Sequence, residues 1–177
     1  QSESAESRVQ VDAFELAERI SYFLWEDMPD DELFTAARDG SLSEPEIRRS
    51  QVARMLASPR SRTLASSFAS QWLLLDQIKH ERDDPTYNHA LQTQPLDFFY
   101  YLVTENRPVI ELIDSDITYI NSLIGNYYGK DSKQLKKFIK PKGIERMMMP
   151  LQKVSLVETT GDRGAGILTM PGVLGMN

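Results

Sequence analysis

Apolar side chains recur at three- and four-residue steps along most of the chain, the spacing that lines one face of an α-helix. Ala13, Leu16, Ala17, Ile20, Phe23 and Leu24 form the first stripe, with Glu15, Glu18 and Arg19 between them, and the Asp12 carboxylate is placed to cap it. The helix is expected to stop near Glu26, because Pro29 disfavours helical backbone at Met28. Asp30 then caps a short helix over Asp31–Arg38, closed by Gly40. Ser43-Glu44-Pro45-Glu46 reads as a capping box, with Ser43 as N-cap, Glu46 at the third position and Pro45 inside the first turn, and predicts a helix to about Ala57. Ser58-Pro59 interrupts it. A further helix is predicted from Pro59 with Leu64, Phe68, Trp72 and Leu75 as its stripe, and Ala65 and Ala69 beside that stripe suit close helix–helix approach.

His80 to Pro85 is a polar connection without periodicity. After Pro95, the residues Leu96, Phe99, Tyr100 and Val103 step helically until Asn106-Arg107-Pro108, and Val109 to Ile113 reads as one or two more apolar turns. The β-branched and aromatic run Ile117-Thr118-Tyr119-Ile120 suits a short extended piece. Asn121 caps a segment to Tyr128 that Gly129 ends. Met147 to Val157 lacks a helical stripe and reads as extended, Gly161 to Gly166 as a loop, and Ile167 to Leu174 as a last apolar segment broken at Pro171-Gly172. The fold class expected is mainly α, a compact multi-helix domain of about six to eight helices with a short irregular or extended C-terminal portion. Residues 1–11 are expected to be a disordered or flexible lead-in, 12–129 the helical domain, 130–146 a basic loop, and 147–177 a segment packing on the helical domain.

Composition narrows the chemistry. The chain's 177 residues can bury a core without staples. A net charge of −6 argues against bulk nucleic-acid binding. The absence of cysteine removes thiol nucleophiles, redox pairs, iron–sulfur clusters, Cys-based zinc sites and covalent CxxCH haem. The uncharged C-terminal stretch Gly164–Asn177 is too short and too broken by Gly and Pro to insert in a membrane. Charge is unevenly spread: Lys130 to Arg146 holds seven basic residues against two acidic ones, +5, which leaves −11 on the rest.

Each candidate site has a structural reading beside the chemical one. Asp114-x-Asp116-x-Thr118 matches the opening of a calcium loop, yet Tyr119 stands where that loop needs Gly and Gly125 where it needs Glu, so capping and turn hydrogen bonds are expected instead. Trp25 to Glu32 packs five carboxylates into eight residues, a density that suits a divalent cation and equally suits a solvated turn at a helix N-terminus. His80 and His89 lack the spacing of a helical metal pair and read as surface histidines. Met147-Met148-Met149, Met170 and Met176 offer soft thioethers but read as core or interface filling. Lys133, Lys136, Lys137, Lys140 and Lys142 form a possible patch for an anion, an acidic protein or an anionic polysaccharide, with a solvated loop as the plainer reading. Gly161-Asp162-Arg163-Gly164-Ala165-Gly166 resembles an anion-cradling loop without the Lys-Ser/Thr of a P-loop.

Several motifs occur in order: Ala17 to Trp25, Met28-Pro29-Asp30-Asp31-Glu32-Leu33, Gln51 to Ser61, Phe68-Ala69-x-Gln71-Trp72-Leu73, Leu112 to Asn121, and Arg163 to Thr169. In these the chain resembles planctomycete-type domains of unknown function from large exported proteins that also carry c-type cytochrome modules. The resemblance implies an extracytoplasmic (periplasmic or cell-envelope) location, a neighbouring cytochrome module in a longer polypeptide, and service in redox or polymer breakdown. It transfers no catalytic residue and no cofactor. The polar residues Asp114, Asp116, Asn121 and Arg163 fall in these motifs and form a candidate cluster. The function expected is a non-catalytic scaffold or interaction domain. Two alternatives stay open: a polysaccharide-processing enzyme using paired carboxylates such as Asp114 and Asp116, and a domain binding metal or haem non-covalently through His80, His89 or the methionines.

Overall fold

The computed structural model describes residues 11–78, 84–131, 151–156 and 166–175. The described residues are mainly helical, with one two-stranded sheet, and the chain divides between Leu64 and Ala65 into two compact units. No helix among them is long and apolar enough to cross a membrane.

In the first unit α1 runs Ala13–Trp25, and Asp12 Oδ1 accepts from the Phe14 and Glu15 amides at 2.8 and 2.9 Å. Its end is set by Glu26 itself, which takes left-handed backbone at φ 53° and turns its N–H back to the Tyr22 carbonyl. Ala17, Ser21, Leu24 and Trp25 face inward, whereas Phe23, expected in the stripe, is exposed. Asp30 caps α2 (Asp31–Arg38) through the Leu33 amide, and Gly40 supplies the positive φ, 79°, that follows. The expected capping box at Ser43 and Glu46 does not form. Ser43 lies in a 3₁₀ turn, Ser41–Ser43, and α3 (Pro45–Ala57) begins one residue later, with Glu44 at the N-cap and no side-chain cap bond. Pro45 takes the first helical position, where its missing N–H leaves no partner unsatisfied. A 3₁₀ turn, Pro59–Ser61, and α4 (Arg62–Leu64) complete the unit.

The second unit opens on a π-helical turn, Ala65–Ala69, followed by α5 (Ser70–Trp72), Leu74 at φ 53° and a 3₁₀ turn, Leu75–Gln77. The single regular helix expected from Pro59 is therefore broken. A π turn closes i→i+5 hydrogen bonds and advances fewer degrees per residue, so the α-helical stripe loses register. Phe68 and Trp72 are 46% and 52% exposed, and Ala65 and Ala69 take the buried positions against the next helix.

That helix, α6, spans Pro85–Thr104, capped by Asp84 through the Thr86 and Tyr87 amides. It starts ten residues before the Pro95 from which the apolar pattern suggested it, and its buried face is Tyr87, Ala90, Leu91, Gln94, Pro95, Phe98, Tyr101 and Leu102. Leu96, Phe99, Tyr100 and Val103, the expected stripe, are only half-buried. Buried Asn88 and Gln94 interrupt the apolar period, which hides the true face in the sequence. Pro95 offers no N–H to the Leu91 carbonyl. The helix α7 (Pro171–Leu174) brings Gly172 onto that same carbonyl, so closely that a Cβ at Gly172 would overlap the Leu91 oxygen.

The expected extended pieces pair as β1 (Ile117–Ile120) and β2 (Gln152–Ser155), antiparallel, with Thr118 opposite Val154 and Ile120 opposite Gln152. Thr118, Ile120 and Val154 face inward by the two-residue alternation of strands. Two adjoining clusters form the core of this unit. Leu75, Ile78, Leu91, Ile120, Ile124 and Tyr128 anchor one, and Phe98, Tyr101, Leu102, Ile167 and Met170 the other. Gly129, at φ 57°, breaks the 3₁₀ segment Gly125–Asp131 where a stop was expected.

Inside the core Gln94 Nε2 donates to Tyr128 Oη at 2.7 Å and to Thr118 Oγ1 at 3.3 Å, and the two hydroxyls pair at 2.9 Å. Burial pushes the Tyr128 hydroxyl above its ordinary pKa, against the lowering effect of these bonds. Gln94 Oε1 has no partner among the described residues. Gln94→Leu is therefore expected to cost at most about 1 kcal/mol, because the two hydroxyls still satisfy each other and an orphan acceptor disappears. Gln94→Ala, which leaves a cavity, should cost about 2–4 kcal/mol in thermal unfolding.

Candidate functional site

The sequence-derived candidates separate in the fold. Asp114 and Asp116 are exposed, and between them Ser115 is buried with its Oγ accepting from the Ile117 amide. Thr118, the third position of the calcium-like pattern, points into the core toward Gln94 and Tyr128. Asn121 is buried, and its Oδ1 accepts from the Leu123 and Ile124 amides at 3.0 and 3.2 Å, the capping role expected of it. Among the described residues no group of three or more His, Cys, Asp or Glu is placed to hold a metal ion. His89 is exposed beside Thr93, and Met55 and Met170 are core residues. Arg163, His80, the lysines 133, 136, 137, 140 and 142, and Met147–Met149 and Met176 lie outside the described residues.

The structure gathers a cluster in the first unit where the sequence alone suggests a solvated turn. Trp25, 4% exposed, donates its indole N–H to the Met55 carbonyl at 3.0 Å. The Arg60 guanidinium lies 4.0 Å from the Trp25 ring centroid and that of Arg54 lies 5.8 Å away. Arg54 grips Asp30 with two nitrogens, Nη1–Oδ2 2.6 Å and Nη2–Oδ1 2.9 Å, and turns Nε to Gln51 at 3.0 Å and Glu32 at 3.1 Å. Arg60 Nη2 meets Asp27 Oδ2 at 2.6 Å. Three of the carboxylates between Trp25 and Glu32 thus serve as counter-ions to two arginines held against one ring. Every member comes from the motif stretches Ala17–Trp25, Met28–Leu33 and Gln51–Ser61, except Asp27, which lies between the first two.

The charges of this cluster are set by those contacts. The Arg54 guanidinium holds the Asp30 carboxyl below its ordinary value of 3.8, with help from the Leu33 amide and against partial burial. The Met28 amide and then Arg60 lower Asp27. Asp30, lowered on folding, contributes stability that is present above its ordinary value and lost as pH falls through the folded value. Arg54→Met should therefore lower the urea midpoint at about pH 7 and flatten its fall as the pH drops below the ordinary aspartate value. An unchanged acid limb would show that this pair does not contribute. Asp27, Asp30 and Glu32 are all engaged by arginine, and the cluster clamps Trp25.

In the second unit the notable surface is a 3₁₀ turn, Val109–Leu112. Its Leu112 packs toward the Phe98, Tyr101 and Met170 cluster, while Val109, Ile110 and the following Ile113 are 78%, 61% and 59% exposed. Gly166, at φ 88°, seats its Cα so close to the Ile113 and Leu112 carbonyls that no side chain fits, which fixes the turn from below.

A model of the PSD4 family, proteins of unknown function (DUF1592), matches residues 11–129. The chain belongs to that family. The matched span contains the whole Trp25 clamp, the π turn, α6, β1 and the Val109–Ile113 turn of this PSD4 domain. No curated protein and no solved structure matches the chain.

Proposed function

We propose that this PSD4 domain is a non-catalytic scaffold or interaction domain of an exported multidomain polypeptide, holding a neighbouring c-type cytochrome module or an anionic polymer. The ordered motifs that resemble domains of such polypeptides support the context. The observation that carries the role is the use of polar side chains: Asp30, Asp27, Arg54 and Arg60 are engaged around Trp25, Thr118 and Asn121 in internal hydrogen bonds, while large apolar side chains stay open to solvent, Val109, Ile110 and Ile113 most closely spaced among them. Asp114 and Asp116 are both exposed, on either side of the buried Ser115, rather than paired in a cleft.

The test uses the full-length polypeptide with a photo-crosslinking residue at Ile110 or, separately, at Trp72. Discrete crosslinks to another module are expected from Ile110, and to another module or a bound polymer from Trp72, together with no turnover of uronic or sulfated polysaccharide. Turnover that is lost in Asp114→Asn or Asp116→Asn would overturn this reading in favour of an enzyme.

A further inference from the structure

The Val109–Ile113 turn carries its own description of a partner. Three aliphatic side chains lie mostly in water within five residues, and the Ile113 amide, just past the 3₁₀ turn, donates to the Ile110 carbonyl at 3.0 Å. The turn cannot swing these residues inward, because Leu112 is already committed to the core and Gly166 blocks the backbone beneath.

The charges of this segment are predominantly negative. Glu105, Asp114 and Asp116 are exposed, and Asp114 is tied to the turn by its amide, which donates to the Ile110 carbonyl at 3.0 Å. Arg107, the one cation between Glu105 and Asp116, is neutralised by Glu111, Nη2–Oε1 2.6 Å with Nε on both carboxylate oxygens. Lys153, on β2, is held over the Tyr101 ring, 3.9 Å from its centroid. Residues 105–116 therefore combine three exposed aliphatic side chains with a net charge of −3, against which Lys153 sets one positive charge. Interfaces bury an apolar centre inside a polar rim, and rim charge selects the partner's sign.

We infer that the Val109–Ile113 turn docks a protein partner whose contact segment carries lysine or arginine around apolar side chains. This deepens the interaction-domain reading and rests on it. An anionic polymer is the wrong sign for this face, so the partner here is a basic polypeptide.

The probe is a fluorescein-labelled twelve-residue amphipathic peptide of leucine and lysine, titrated into the intact chain by anisotropy. Two control peptides replace every lysine by glutamate or every leucine by serine. Binding to the parent peptide alone is expected, weakened about tenfold or more by Ile110→Asp with Ile113→Asp and by raising salt from about 0.05 to about 0.5 M. Trp72→Ala, which removes a different exposed apolar side chain, should leave binding unchanged. Circular dichroism of the double variant must match the parent, since both side chains lie mostly in water. Equal binding of the glutamate peptide, or no effect of the double variant, overturns the proposal. Binding that appears only after Lys133, Lys136, Lys137, Lys140 and Lys142 are changed to glutamine also overturns it, by assigning the turn to the chain's own lysine run. If the peptide fails while crosslinks from Trp72 persist in the full-length polypeptide, this surface falls and the interaction-domain reading stands. If polysaccharide turnover appears, that reading falls.

Discussion

Trp25→Ala should unfold the first unit's core at markedly lower urea, with a loss of about 3–5 kcal/mol. The indole is almost fully buried, so truncation leaves a cavity, takes one of two donors from the Met55 carbonyl, which keeps the Ser58 amide, and removes the ring from beneath the Arg54 and Arg60 guanidiniums. Trp25→Phe separates these effects. It keeps a ring for the arginines but has no N–H, and its cost is expected to be about 1–2 kcal/mol, from the lost indole hydrogen bond and the smaller ring. Equilibrium unfolding followed by circular dichroism measures both. A loss under about 1 kcal/mol for the alanine variant would mean that the cluster is not the clamp described.

The second large effect is a reversal of sign. Gly172 lies in α7, where alanine ordinarily stabilises a helix over glycine by about 1 kcal/mol. Here a Cβ would overlap the Leu91 carbonyl oxygen and come within 3.0 Å of the Leu91 carbonyl carbon and 3.2 Å of Ile78 Cδ1. Gly172→Ala is therefore expected to destabilise by about 1–3 kcal/mol, because the obstruction is backbone and cannot rotate away. The melting temperature should fall, with the loss of amide protection starting in α6 near Leu91. A rise in melting temperature would show that α7 does not sit on the carbonyl that Pro95 leaves without a helical partner.

Much of the fold was legible because it rests on short-range contacts. Asp12, Asp30 and Asn121 cap segments whose amides lie two or three residues away, and the residue type alone announces that geometry. Ile117–Ile120 announces a strand by its β-branched and aromatic content. The capping box at Ser43 failed for an equally local reason, since Pro45 claims the first helical position and shifts the start by one residue.

The candidate site was much less legible. The acidic density between Trp25 and Glu32 was visible, but Arg54 reaches Asp30 across 24 positions and Arg60 reaches Asp27 across 33, and no periodicity encodes such pairings. Asp114, Asp116, Asn121 and Arg163 were grouped because they fall in the motifs that carry the resemblance, whereas the fold leaves the two aspartates in solvent and buries the asparagine, and Arg163 lies outside the described residues.

What the sequence by itself determined is the mainly helical class, the places where most elements begin and stop, and the two extended pieces, because hydrogen bonds within a few residues decide them. Only the tertiary structure decided which face each element buries. The π turn changes the angular step after Leu64, and Gln94 is tolerated at the centre of α6 because Thr118 and Tyr128, 24 and 34 positions away, arrive to bond it. It likewise decided that Val109, Ile110 and Ile113 stay outside, since the space beneath them is already filled by Leu112 and by the backbone at Gly166.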